Sequence, residues 1–109
     1  MAFDQGLAFR IEEFLTDTPG LITKKMFGGV GYLVNGNMAC GVSQNALIVR
    51  LSVDDYSEAL LKPFTRKFDM TGREMRGWIL VDPPGFEEDI DLQTWVQIGI
   101  RYAASLPPK

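Results

Sequence analysis

Histidine is absent from this chain of 109 residues. That removes the commonest general base and the commonest metal ligand together. Every Ser-His and Cys-His nucleophile pair goes with them. Cysteine occurs once, as Cys40. No internal disulfide can form, which suits a reducing compartment. Positive charge is in deficit: 11 Lys and Arg stand against 14 Asp and Glu, leaving a net charge of −3. Non-specific nucleic-acid binding rests on neutralising phosphates, so this balance disfavours it. No apolar run approaches the length a bilayer requires. Asp4, Glu12 and Glu13 stand where a secretory signal would need a basic and then an apolar region. The expectation is a cytoplasmic protein with no membrane contact.

What is present is an ordinary soluble composition, 46% hydrophobic, in a length that suits one domain spanning residues 1–109. Such a chain buries about 65% of its extended surface, enough for a core without metal or disulfide. Its organising stretch runs from Lys24 to Leu51 and reads as three short strands. Asn35-Gly36 between apolar runs signals a two-residue hairpin, because both residues tolerate positive φ. That loop sets Leu33 opposite Met38 and Tyr32 opposite Ala39. A second loop at Gln44-Asn45 sets Val42 opposite Leu47 and Cys40 opposite Val49. Leu33, Met38, Cys40, Val42, Leu47, Val49 and Leu51 then share an apolar face that reads as core. Val30, Tyr32, Val34 and Ile48 fall on the other face, around Ala39 and Gly41. A slip of one residue would exchange the faces.

Around this stretch the patterns are helical at both ends. Asp4 caps a helix to Asp17, with Leu7, Ile11, Phe14 and Leu15 at helical spacing. Thr18-Pro19-Gly20 stops it, and Leu21 to Lys25 adds a short extended segment. Ser52, with Asp55 three residues on, opens a second helix from Val53 to Leu61. Lys62-Pro63 ends that helix. Two strands, Arg66 to Thr71 and Met75 to Val81, are expected to turn at Gly72-Arg73. Asp91 caps a last helix to Ala104, with Leu92, Trp95, Val96, Gly99, Tyr102 and Ala103 on one stripe. The expectation is an α+β, two-layer domain: an antiparallel sheet of about five strands with helices on one face.

Each candidate site has a structural alternative. Lys24-Lys25 before Gly28-Gly29 resembles an anion cradle, but neither a dinucleotide fingerprint nor a phosphate loop follows, and unusual backbone geometry explains the glycines. Asp89 and Asp91, in Glu87-Glu88-Asp89-Ile90-Asp91, could share a cation. Acidic residues also belong at a helix N-terminus. Cys40, mid-strand among apolar residues, reads as a buried inert thiol. Arg66, Lys67, Arg73 and Arg76, with Phe68 and Trp78 interleaved, would suit base stacking, against the acidic balance of the chain. The face of Val30, Tyr32, Val34 and Ile48 is expected to be an interaction surface, unless the Arg50 stem and a loop cover it.

Met26-Phe27-Gly28-Gly29, followed by Val30-Gly31-Tyr32, Asn35-Gly36 before Met38, and Leu47 to Leu51, resembles the N-terminal domain of the TfoX/Sxy family of competence regulators. Pro63-Phe64, the strand around Trp78, and Leu92 with Trp95-Val96 agree. The resemblance implies a fold like that of secretion-chaperone domains. It implies no enzyme activity and no catalytic residue to carry over; no metal and no cofactor are expected. Met26, Phe27, Gly28 and Gly29 transfer as a fold signature. Full-length regulators carry a further C-terminal domain, so this chain is expected to be the stand-alone form. The leading expectation is a non-catalytic regulatory domain whose partner is protein, another chain or itself. A weak nucleic-acid-binding module and an enzyme acting on a small anion are the alternatives.

Overall fold

Asn35 and Gly36 both adopt positive φ, 53° and 86°, in the computed structural model of the chain. This is the backbone a two-residue hairpin turn requires. The structure describes residues 3–26, 28–68, 72 and 75–109. The turn joins β2, Gly29–Val34, to β3, Asn37–Ser43, and the Gln44-Asn45 loop joins β3 to β4, Ala46–Arg50. Ahead of them the extended segment is a full strand, β1, Leu21–Met26. Two later strands, β5, Thr65–Lys67, and β6, Trp78–Val81, complete a six-stranded antiparallel sheet ordered β1-β2-β3-β4-β6-β5. β5 and β6 pair antiparallel, as expected of the second hairpin. The expected strand residues 69–71, and Arg73 of the expected turn, lie outside the described residues.

Register next to the turn follows the expectation, with Val34 opposite Asn37 and Leu33 opposite Met38. Then it shifts: Tyr32 lies opposite Cys40, not Ala39. Ala39 is the extra residue of a β-bulge, and one extra residue reverses which side the rest of the strand presents. The face assignment is corrected accordingly. Val30 and Tyr32 lie on the same side as Cys40 and Val42, and Val34 packs with Ala39 and Ala103 on that side too. Leu33 and Met38 move to the opposite side, with Ile48. Val30, Tyr32, Val34 and Ile48 therefore share no face, and all four are buried.

The helices of the described residues lie on one side of the sheet. Helix α1, Gln5–Phe14, is capped by Asp4, whose Oδ1 accepts from the Leu7 N–H at 3.0 Å. Its residues Leu7, Ala8 and Ile11 enter the core, with Leu15 just beyond. Helix α2, Val53–Ala59, is capped by Ser52, whose Oγ accepts from the Asp55 N–H at 3.2 Å and donates to Asp55 Oδ2 at 2.9 Å. Helix α3, Asp89–Ser105, follows a 3₁₀ turn at Pro83–Phe86. It starts two residues before the expected cap. Glu88 occupies the N-cap position without a side-chain bond, and Asp89 and Asp91 lie in the first turn. There the helix dipole favours acidic groups, so the start needs no cap at Asp91. Leu92, Trp95, Val96, Gly99 and Ala103 form the buried stripe of α3. Gly99 is required where it stands: a Cβ there would overlap the Ala39 carbonyl, so the helix sits directly on the bulge.

The opposite side of the sheet is apolar as well, but among the described residues no helix lies on it. Met38, Ala46, Ile48, Phe68 and Leu80 are buried there, edged by Met26, Leu33, Met75 and Trp78. Phe68 and Met75 belong to the β5–β6 connection, and the Met75 N–H donates to the Phe68 carbonyl at 3.2 Å. The Arg50 guanidinium stacks on Trp78, 5.0 Å from its ring centroid. Of the expected interaction face only Ile48 lies on this side, and it is buried. Among the described residues no helix is long and apolar enough to cross a membrane.

Candidate functional site

The helical layer is closed where α1 meets α3 and open where α2 parts from α3. Helix α2 has only seven residues, so it shields a short length of α3. Between them lies a groove of about 470 Å³. Leu51, Ala59 and Trp95 form its floor and are buried, while Ile98 and Tyr102 rise half-buried from α3. Tyr102 is fixed from behind: the Arg50 guanidinium lies 5.5 Å from its ring centroid, and Arg50 Nη1 donates to the Met38 carbonyl at 3.4 Å. Such stacking contributes about 0.5–1 kcal/mol where water reaches it.

The rim is charged. Asp55 and Glu58 project from α2, Lys62 follows that helix, and Arg101 stands on α3, all four exposed. Asp55 is engaged with the Ser52 hydroxyl. Among the described residues the ion pairs are Arg10 with Asp89 and Arg66 with Asp82, both at 3.0 Å, so no salt bridge crosses the groove. Opposite charges line facing walls without meeting.

The Met26-Phe27-Gly28-Gly29 signature lies elsewhere, at the β1–β2 turn. Met26 pairs with Gly29, and Gly28 holds φ 71° between them. A Cβ on Gly29 would overlap the Val42 carbonyl, so this residue lets β2 and β3 close. Phe27 lies outside the described residues. The TfoX N-terminal domain profile matches residues 13–103. The chain belongs to the TfoX N-terminal domain family. The match runs from the end of α1 through most of α3 and takes in the signature, the bulge and the groove walls. Neither a search of curated proteins nor a search of solved structures returned a match.

Within this TfoX N-terminal domain the other expected sites resolve one by one. Lys24 and Lys25 are exposed on β1, at the edge of the sheet, where lysines guard against unwanted strand pairing. The acidic run lies at the start of α3. Arg10 ties that end down, donating to the Phe86 carbonyl at 2.9 Å, the Glu87 carbonyl at 3.1 Å and Asp89 Oδ1 at 3.0 Å. Among the described residues no group of three or more His, Cys, Asp or Glu could hold a metal ion. Cys40 is fully buried, and burial pushes its thiol up to about 12. Tyr32 is fully buried beneath α1, donating to Glu12 Oε2 at 2.9 Å, with the Ala8 carbonyl at 3.3 Å. Burial first, and then Glu12, hold its phenol far above the ordinary tyrosine range.

The basic hairpin is not a stacking platform among the described residues. Arg66 is held by both oxygens of Asp82. Phe68 is buried, and its ring packs against Trp78 at 6.2 Å. The groove itself escaped the reading from sequence. Its signal was the second helical stripe of α3, Ile98, Arg101 and Ser105, beside the buried one, with Asp55, Glu58 and Lys62 at matching spacing across the gap.

Proposed function

We propose that this TfoX N-terminal domain is a non-catalytic, cytoplasmic interaction domain whose partner is a protein. The observation that carries the reading is the groove between α2 and α3, where an apolar floor is bounded by exposed charges of both signs. Protein interfaces have this composition, an apolar centre within a polar rim. The most reactive side chains support the reading by their placement. Cys40 and Tyr32 lie in the core with their neutral forms favoured, away from the groove.

Affinity capture from the native cell at mild salt, followed by cross-linking through lysine, tests it. The expected result is a defined protein partner with cross-links at Lys62. Recovery of nucleic acid that is released by salt, with no protein partner, would contradict the proposal.

A further inference from the structure

We propose that the α2–α3 groove receives an amphipathic helix of a partner protein, with its apolar stripe on the floor and flanks charged with opposite signs. This deepens the interaction reading and rests on it. The floor is a short apolar strip between two helical walls, which suits an occupant read through residues at i, i+3, i+4 and i+7. The flanks follow from the rim. Asp55 and Glu58 face outward from α2, with Lys62 past the end of that helix leaving the wall acidic by one net charge. Arg101 faces outward from α3, and none of them is paired across the groove among the described residues. An inserted helix with a basic flank toward α2 and an acidic flank toward α3 would complement both walls. Such rim pairs act mainly on association rate and orientation.

A second copy of this chain is the competing occupant, because a twofold axis along the groove would set the acidic wall of one copy against Arg101 of the other. Shape decides against it. Two concave floors facing each other leave a void, and atoms lining a void lose their packing partners. A groove of about 470 Å³ calls for a convex occupant.

The test uses the full chain and three synthetic helical peptides of roughly four turns. All carry leucine at i, i+3, i+4 and i+7. One has a lysine flank and a glutamate flank, one has lysine on both flanks, and one has glutamate on both. Backbone amide signals are followed by NMR during titration. The mixed peptide is expected to shift Glu58, Lys62, Ile98 and Arg101 and to bind about tenfold more tightly than either other peptide. Glu58→Lys and Arg101→Glu should each weaken that binding. The double variant should recover it, because a helix turned end for end presents its flanks the other way round. Circular dichroism and the amide spectrum establish that the variants fold.

Equal affinity for the three peptides, shifts confined to β1 or β5, or no shift at millimolar peptide would overturn the proposal. So would sedimentation showing a dimer that Arg101→Glu dissolves, which assigns the groove to a second copy. A native partner cross-linked wholly outside the groove would sink this inference and leave the interaction reading standing. Failure to capture any protein partner would sink that reading first.

Discussion

Helix α3 passes through two unlike regions. Toward its start and middle it closes with α1 over the sheet, and that region buries Ile11, Tyr32, Cys40, Val42, Leu47 and Leu92 almost completely. Its polar groups are spent internally, as with the Tyr32 hydroxyl on Glu12. Toward its end it faces α2 across a gap, and there the charges stay exposed and uncrossed by ion pairs among the described residues. Closing a helical layer takes two partners long enough to meet. Where α2 is short, apolar floor is left uncovered, and the charges around it remain available.

The closed region should be easy to damage and the open one hard, and the sharpest test is a truncation in the closed region. Leu47→Ala removes a fully buried side chain and is expected to cost about 2–5 kcal/mol, read by denaturant unfolding. A loss below about half a kcal/mol would contradict burial there.

Gly99→Ala probes the seam between α3 and the bulge. Helix propensity alone would raise stability by about 1 kcal/mol. The overlap with the Ala39 carbonyl opposes that gain and should leave a net loss of about 1–3 kcal/mol. A stabilised variant would show that α3 does not rest on the bulge.

Alkaline unfolding separates the regions by chemistry. Burial raises Cys40 from 9.0 to about 12 and raises Tyr32 as well. A raised acid stabilises the fold below its unfolded pKa and loses that contribution as pH climbs toward the folded value. Stability is therefore expected to decline from about pH 9 upward, with Cys40 contributing a slope of at most about 1.4 kcal/mol per pH unit. Cys40→Ala should flatten the decline between pH 9.0 and about 12. An unchanged slope would mean that the thiol is not shut away.

The smallest effect is expected in the groove. Glu58→Lys and Arg101→Glu alter exposed residues with no ion pair among the described ones, so each should move stability by no more than about half a kcal/mol. A loss as large as that of Leu47→Ala would make these charges structural and erase the contrast between the regions.

Much of the scaffold was legible because its signals are local. Asn35-Gly36 sets its own turn, Asp4 and Ser52 set their own caps, and the stripe from Leu92 to Ala103 repeats at the helical period. The bulge was not legible. Ala39 has no residue type that marks it, and the residue packed against it lies sixty positions away at Gly99, which reads from sequence only as a small member of a helical stripe. That single added residue moved Tyr32 and Val30 onto the helix side and Leu33 and Met38 off it. The groove was hidden for a related reason. It is a space between two helices, and nothing in either helix alone states how far apart they stand.

The most direct measurement of the central claim is amide NMR mapping of the full chain with and without the protein partner that affinity capture recovers. Changes are expected at Glu58, Lys62, Ile98 and Arg101, on both walls of the groove, while Val30, Tyr32 and Cys40 in the closed region keep their signals. Changes running along β1 or β5, with the groove signals unmoved, would contradict it.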